Sequence, residues 1–217
     1  MLRPMKWFLS LALFAAALLH SGCQSAYYST MEKFGYEKRD LLKSAVVKAR
    51  DEQKDAQVQF KDALTRMKEM YNIQGGDLEK TYSKLKANQE SCASQASDVH
   101  KRIRDMDQVA NDLFAEWEKE AASFTNPAFA SDSRRKLADT RSRYAQLAGS
   151  LRGAEATMDP VLKTLGEHVL YLKHNLNASA ISSLKGEATN IQGQIDTLLI
   201  QMNASIAEAD AFLKTLN

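Results

Sequence analysis

The sequence predicts an all-α protein, an elongated antiparallel up-down-up-down four-helix bundle with coiled-coil-like heptad seams. Three observations support this fold class. Apolar residues recur at alternating steps of four and three in four long segments, which is the period of packed helices. Beyond residue 22 the only prolines are Pro127 and Pro160. Short connections separate the segments, and short connections make consecutive helices antiparallel neighbours.

The four apolar segments cover residues 42–70, 78–117, 137–176 and 181–216. Their spacing keeps apolar side chains on one face of each helix, where a left-handed supercoil buries them as a seam. Each helix would be about 60–65 Å long at a rise of about 1.5 Å per residue. A bundle closed by exchange between two chains would give the same pattern, so a homo-oligomer stays open as an alternative.

Turn and cap residues separate the segments. Gly75 and Gly76 favour the end of the first helix, and Pro127 lies in the connection between the second and third. Side chains of Ser, Thr, Asp and Asn cap a helix by accepting hydrogen bonds from its first amide groups. The cap candidates are Asp77 for the second helix, Ser131 or Asp132 for the third, and Asn177 or Ser179 for the fourth.

Pro160 allows two interpretations of the third segment. Asp159-Pro160 suits the cap and first turn of a new helix. The apolar spacing nevertheless stays in phase from Met158 to Leu162, and one helix over residues 132–176 would match its neighbours in length. We favour a single kinked helix, with a new helix at Asp159 as the alternative.

The first residues have the three parts of an export signal. Two basic residues come first, an apolar stretch of about 13 residues follows, and Ser21 and Gly22 precede Cys23. The stretch is shorter than the roughly 20 residues that cross a bilayer. The small residues before Cys23 resemble a bacterial lipobox, which implies cleavage and acylation at this cysteine. His20 departs from that pattern, so cleavage by an ordinary signal peptidase, leaving a free thiol, is the alternative.

The residue after the cysteine and the charge of the chain bear on location and partners. Gln24 stands where an Asp would hold such a lipoprotein in the inner membrane, so the lipobox implies the periplasmic face of the outer membrane. Removing residues 1–22 takes away Arg3 and Lys6, which lowers the basic residues from 29 to 27, equal to the 27 acidic ones. A net charge of zero argues against nucleic acid as a partner.

The predicted organisation is a lipoprotein signal peptide over residues 1–22, an acylated N-terminus and linker over 23–36, and one helical-bundle domain over 37–217. In such a bundle both chain ends and the second connection share one pole. This membrane-side pole holds four aromatic residues that we expect to contact the membrane: Tyr27, Tyr28, Phe124 and Phe129. Alternatively, Phe124 and Phe129 only cap the end of the core.

The opposite pole carries the other two connections, about 60 Å from the membrane. We predict that its turns form the surface for an unidentified periplasmic protein. The residues of this predicted partner surface are Gly75, Gly76, Asp77, His174, Asn175 and Asn177.

No residue pattern predicts a catalytic site, a metal or a cofactor. Cys92 falls on the second seam and is expected to be a small buried hydrophobe. His168 and His174 are six residues apart, so they face different sides of one helix. We expect these histidines and His100 to be solvated or to cap helix ends.

Polar residues also interrupt the seams, where they would set register or lie at the seam edge; alternatively they line a polar channel for a ligand. They are Gln53, Gln89, Arg141 and Glu155. The basic cluster at residues 134–136 begins the third helix, where a solvated charged face and contact with anionic headgroups are the two alternatives.

Six segments of the chain resemble one known family. They are "YYSTMEKFGYEKRD", "GGDLEKTYSKL", "LFAEWEKE", "MDPVL", "LYLKHNLNASAISSL" and "SIAEADAFL". They resemble the bacterial envelope proteins grouped as domain of unknown function 2959, over about residues 26–214. The resemblance implies an all-helical lipoprotein and assigns no active or binding site.

These features predict a non-enzymatic lipoprotein that acts as a membrane-anchored spacer, scaffold or protein-interaction module. Its N-terminal acyl chains would hold it to the membrane. The alternative is an amphiphile- or lipid-binding protein that opens its bundle, because the core is rich in adaptable methionines.

Overall fold

A computed structural model describes residues 38–73 and 77–216 of the chain. These residues form five α-helices and no strand: α1 (Lys38–Tyr71), α2 (Leu78–Ser123), α3 (Pro127–Ala156), α4 (Met158–His174) and α5 (Ala178–Thr215). The chain divides into two compact units, residues 1–41 and 42–217, and the bundle belongs to the second. Within the described ranges, every helix is too short or too polar to span a bilayer.

Polar contacts establish the directions of the helices. As residue numbers rise along α1, those of its partners fall on α2 and on α5, so both neighbours are antiparallel to α1. The pairs are Glu52–Arg102 and Asp62–Asn88 toward α2, and Arg50–Asp210 and Gln57–Asn203 toward α5.

The third helix position is shared by α3 and α4. Tyr144 of α3 contacts Asp107 of α2, and Thr164 of α4 contacts Gln194 of α5. Across the bundle, α1 runs parallel to α3 and α4, since residue numbers rise together in the pairs Gln53–Leu151 and Tyr71–His168. The predicted all-α antiparallel four-helix bundle is therefore confirmed, with its third helix in two pieces.

The seam of α1 forms the centre of the core. All nine seam positions predicted for it are only 0–1% exposed: Leu42, Val46, Ala49, Gln53, Ala56, Phe60, Ala63, Met67 and Met70. The seam of α5 is buried as predicted except at Ala188, which is half-buried. The periodicity thus identified the buried face of both helices, because a period of 3.5 keeps one face on the supercoil axis.

Two of the predicted caps are confirmed and one is wrong. The carboxylate of Asp77 accepts from the amide of Lys80 at 2.9 Å, and the side chain of Asn177 accepts from the amide of Ala180 at 3.0 Å. The third helix begins earlier than predicted, with Asn126 as its cap and Pro127 in its first turn. Ser131 and Asp132 lie inside α3, because Asn126-Pro127 already supplies the cap and the fixed φ of a first helical residue.

The single kinked helix favoured for the third segment is wrong, because α3 ends at Ala156 and α4 begins at Met158. Pro160 has no amide hydrogen, and its ring clashes with the carbonyl of Ala156, four residues earlier. Thr157 tightens the junction, since its amide and its hydroxyl both donate to the carbonyl of Ala154, at 3.2 and 2.7 Å. The buried face continues across the break through Ala154, Met158 and Val161.

The polar residues at the seams have different environments. Gln53 is buried, and its amide nitrogen donates to the carbonyl of Leu151 at 3.5 Å while its side-chain oxygen has no partner among the described residues. Arg141 is exposed at the seam edge, where it pairs with Glu118 and lies over the ring of Phe114. Gln89 and Glu155 are half-buried. Of the four, only Gln53 is a fully buried residue that can fix the register between helices.

Leu165 and Leu170 test the buried face of α4, since they are the same residue type on one helix and are 1% and 60% exposed. We expect Leu165→Ala to lower the free energy of unfolding by about 2–5 kcal/mol, because it removes buried apolar surface and leaves a cavity. Leu170→Ala should change it by less than about 0.5 kcal/mol. Urea denaturation followed by circular dichroism measures both; equal losses would show that this face is assigned wrongly.

Candidate functional site

The connections α1–α2 and α4–α5 lie at one pole of the bundle, which we call the turn pole. Four predicted partner-surface residues lie there: Asp77, His174, Asn175 and Asn177. Gly75 and Gly76, predicted for the same surface, lie outside the described residues.

Most of the polar groups at the turn pole maintain the turns themselves. Asp77 and Asn177 cap helices, and the side chain of Asn175 donates to the carbonyl of Tyr171 at 3.1 Å. The amide of Asn177 also donates to the carbonyl of Asn175 at 2.9 Å. His174 is exposed at the end of α4. Asp77, Asn175 and Asn177 therefore give the turn pole a defined backbone, and His174 beside them is accessible.

An exposed apolar patch adjoins His174. Leu170 and Tyr171 are 60% and 41% exposed, and both lie within one turn of His174 on α4. Residues three and four apart are neighbours on a helix surface, so the three side chains share one side of α4. The seam pattern did not predict this patch, because it identifies the buried face and leaves outward apolar residues unassigned.

A buried polar pair lies just inside the turn pole. The hydroxyl of Tyr71 on α1 is 3.1 Å from Nδ1 of His168 on α4, and both residues are buried. Burial lowers the pKa of His168, and the carboxylates of Glu187 and Glu167 only partly offset that effect. The prediction that His168 is solvated or caps a helix end is wrong, because its helix face packs against α1.

The other pole carries the α2–α3 connection and two of the predicted membrane-contact residues, Phe124 and Phe129. Phe124 and Phe129 are 46% and 62% exposed and contact each other edge to face, with ring centroids 6.4 Å apart. The indole nitrogen of Trp117 donates to the hydroxyl of Ser133 at 2.9 Å, which joins the two helices beneath the rings. The two Phe rings are therefore partly exposed at this end of the bundle, and contact with a membrane and capping of the core both stay predictions.

Tyr27 and Tyr28, the other predicted membrane-contact residues, and Cys23, the predicted acylation site, lie outside the described residues. The basic cluster near this pole is partly neutralised, because Asp132 pairs with Lys136 at 2.8 Å and with Arg135. The hydrogen bond from Lys136 lowers the pKa of Asp132. Much of the cluster therefore behaves as a solvated charged face with internal ion pairs.

A cleft of about 510 Å³ opens between α2 and the junction of α3 and α4. Small residues of α2 form one wall, and apolar side chains of α4 form the floor. Its lining includes Ala93, Ala96, Ser97, His100, Met158 and Leu162. The cleft exists because short side chains on α2 face the place where Thr157 interrupts the third helix.

Charged side chains surround this cleft in pairs. Nδ1 of His100 is in contact with a carboxylate oxygen of Glu155, which joins α2 to α3 at the rim of the cleft. Arg152 pairs with Asp107, which also accepts from the hydroxyl of Tyr144 at 2.6 Å. Periodicity did not reveal the cleft, although the small residues Ala93, Ala96 and Ser97 were visible in the sequence.

Ser97 and His100 both line the cleft. Ser97 lies one turn from His100 on α2, and no hydrogen bond joins these two described residues. Cys92, near the cleft on α2, is fully buried as predicted, and burial raises the pKa of its thiol to about 12. Over residues 38–73 and 77–216, no three His, Cys, Asp or Glu side chains are placed to hold a metal ion.

His168 should make the stability of the bundle depend on pH. Because burial lowers its pKa below the unfolded value of about 6.5, the unfolded chain binds the proton first as pH falls. The contribution of neutral His168 to the free energy of unfolding is therefore fully present above a pH of about 6.5. It is lost as the pH falls toward the folded pKa, with a slope of at most about 1.4 kcal/mol per pH unit.

Denaturation between pH 8 and pH 5 checks this, comparing the native chain with His168→Asn, which keeps a polar atom near Tyr71. We expect the acid-induced loss to be smaller in His168→Asn and unchanged in His174→Asn, an exposed control on the same helix. Parallel pH profiles for the native chain and His168→Asn would refute the assignment.

Comparison with known proteins gives a family and no further relatives. No curated protein and no solved structure matches the chain. One family model matches residues 27–216, which is most of the chain and includes all five described helices. The chain therefore belongs to the family described as protein of unknown function DUF2959.

Proposed function

We propose that this chain is a lipid-anchored helical bundle of the bacterial cell envelope, which acts by holding an interaction surface away from the membrane and not by catalysis. In this proposal Cys23 carries the acyl chains at the periplasmic face of the outer membrane. The bundle is the spacer, and the turn pole is the surface that a periplasmic partner protein contacts.

The single observation that carries the proposal is the arrangement of the poles. The bundle begins at Leu42 and ends at Leu216, and its antiparallel order places both residues in the half of the bundle that leads toward Phe124 and Phe129, opposite the turn pole. Exposed aromatic rings favour the interface between lipid and water. A chain anchored through its N-terminus would thus direct the Phe124–Phe129 pair toward the membrane and the turn pole away from it.

The exposed patch at the turn pole supports the second half of the proposal. Leu170, Tyr171 and His174 combine apolar surface with an aromatic ring on a rigid helix, next to turns fixed by their own hydrogen bonds. Protein interfaces are enriched in aromatic side chains with a polar rim. The patch therefore has the composition that a partner-binding surface needs.

Uptake of an amphiphile by opening the bundle has less support. Opening would expose the α1 seam, in which residues such as Phe60 and Met67 are 0–1% exposed. Each such side chain contributes about 1.5–3 kcal/mol when buried, so separating α1 from the other helices has a large energetic cost.

Cys23→Ser tests the anchor, and Cys92→Ser is its matched control, since these are the two cysteines of the chain. We expect Cys23→Ser to move the protein from the membrane fraction to the soluble periplasmic fraction, because no acyl chain can be attached. Cys92→Ser should stay with the membranes, since Cys92 is buried in the core.

Fractionation of cells followed by intact-mass measurement gives both the location and the mass of the attached lipid. If Cys23→Ser remains in the outer membrane, or if the native chain carries no lipid on Cys23, the anchored-spacer proposal is wrong.

A further inference from the structure

The cleft between α2 and the α3–α4 junction has a floor of apolar side chains. Met158 is buried and Leu162 half-buried beneath it, while Ala93 and Ala96 are too short to fill the space above them. A volume of about 510 Å³ falls within the range of small-molecule sites in proteins, about 300–1,000 Å³.

The charges at the rim of the cleft are not balanced. Arg152 is neutralised by Asp107, and Glu155 is in contact with His100. Asp159 also lines the cleft, and it forms no hydrogen bond or ion pair with any residue in the described part of the chain, including Lys163 one turn away. The rim therefore presents an unpaired negative charge beside an apolar floor.

We propose that this cleft binds a small organic ammonium ion, with its apolar chain on Met158 and Leu162 and its charged nitrogen paired with Asp159. An anionic ligand does not fit this arrangement, because the guanidinium of Arg152 is already occupied by a carboxylate and Asp159 would repel it. The site requires no opening of the bundle and is independent of the membrane anchor.

Methyl NMR of the full chain in lipid nanodiscs tests this, with ¹³C labels on alanine and methionine methyl groups. Hexylammonium is the probe, and hexane-1-sulfonate and hexan-1-ol are matched probes with the opposite charge and no charge. We expect hexylammonium to shift the methyl signals of Ala93, Ala96 and Met158 to saturation, while those of Met67 and Ala209 in the core stay in place.

Two variants with matched controls locate the site. Asp159→Asn should weaken hexylammonium binding by about two- to fivefold, the effect of one exposed ion pair, and Asp196→Asn, an exposed carboxylate on α5, should not. Ala93→Leu should fill the cleft and abolish saturation, and Ala115→Leu, an exposed alanine on the same helix, should leave binding unchanged.

Three results would overturn the proposal. They are equal affinity for the sulfonate or the alcohol, no saturable shift with hexylammonium, and equal affinities of Asp159→Asn and Asp196→Asn. Unchanged signals of Met67 and Ala209 in each variant show that the bundle is intact, so that lost binding is a property of the cleft.

Discussion

The seam of α1 is buried in the core, and side-chain contacts join α1 to every other helix position of the bundle. Its nine residues from Leu42 to Met70 are almost fully removed from solvent. Their period of 3.5 requires partner helices that follow the same supercoil. Because the connections are short, consecutive helices must alternate in direction. The α1–α2 and α4–α5 connections therefore lie at one pole, and the α2–α3 connection lies at the other. The functional proposal for the poles thus depends on the burial of one helix face.

Features suited to binding occur where this packing is relaxed. Pro160 interrupts the third helix, small residues on α2 face the interruption, and a cleft with an apolar floor results. Near the turn pole, Tyr71 and His168 replace apolar contact with a buried hydrogen bond, which links the stability of that end to pH. At the α2–α3 connection, Phe124 and Phe129 remain exposed because the core ends beneath them.

The sequence correctly predicted features that depend on residues close together in the chain. The buried face of α1 and the caps Asp77 and Asn177 were correct, because each depends on a few neighbouring residues. The start of α3 was misplaced although Asn126-Pro127 is itself a strong signal, since Ser131 and Asp132 offered competing caps nearer the apolar run. The break at Thr157 was not predicted because the apolar pattern stays in phase across it. The missing amide hydrogen of Pro160 interrupts the helix despite that pattern.

The candidate sites were harder to predict because they depend on which helices meet. Burial of His168 follows from the approach of Tyr71, 97 residues earlier in the chain. To predict the cleft, one must know which residues of α2 lie opposite the α3–α4 junction. The spacing of residues along a single helix does not contain that information. Leu170 and Tyr171 belong to a helix that is rich in apolar residues. Which of those residues face solvent is evident only when the buried face of that helix is known.

The most direct test of this account measures distances between the poles by double electron–electron resonance, with spin-labelled non-natural amino acids at positions 129, 214 and 179. Phe212 contacts Tyr144, fifteen residues after Phe129, so antiparallel order predicts about 20–35 Å between positions 129 and 214. It predicts about 50 Å or more between positions 129 and 179, because α5 alone rises about 1.5 Å for each of its residues between the poles. Similar distances for the two pairs would contradict the arrangement on which the anchored-spacer proposal depends.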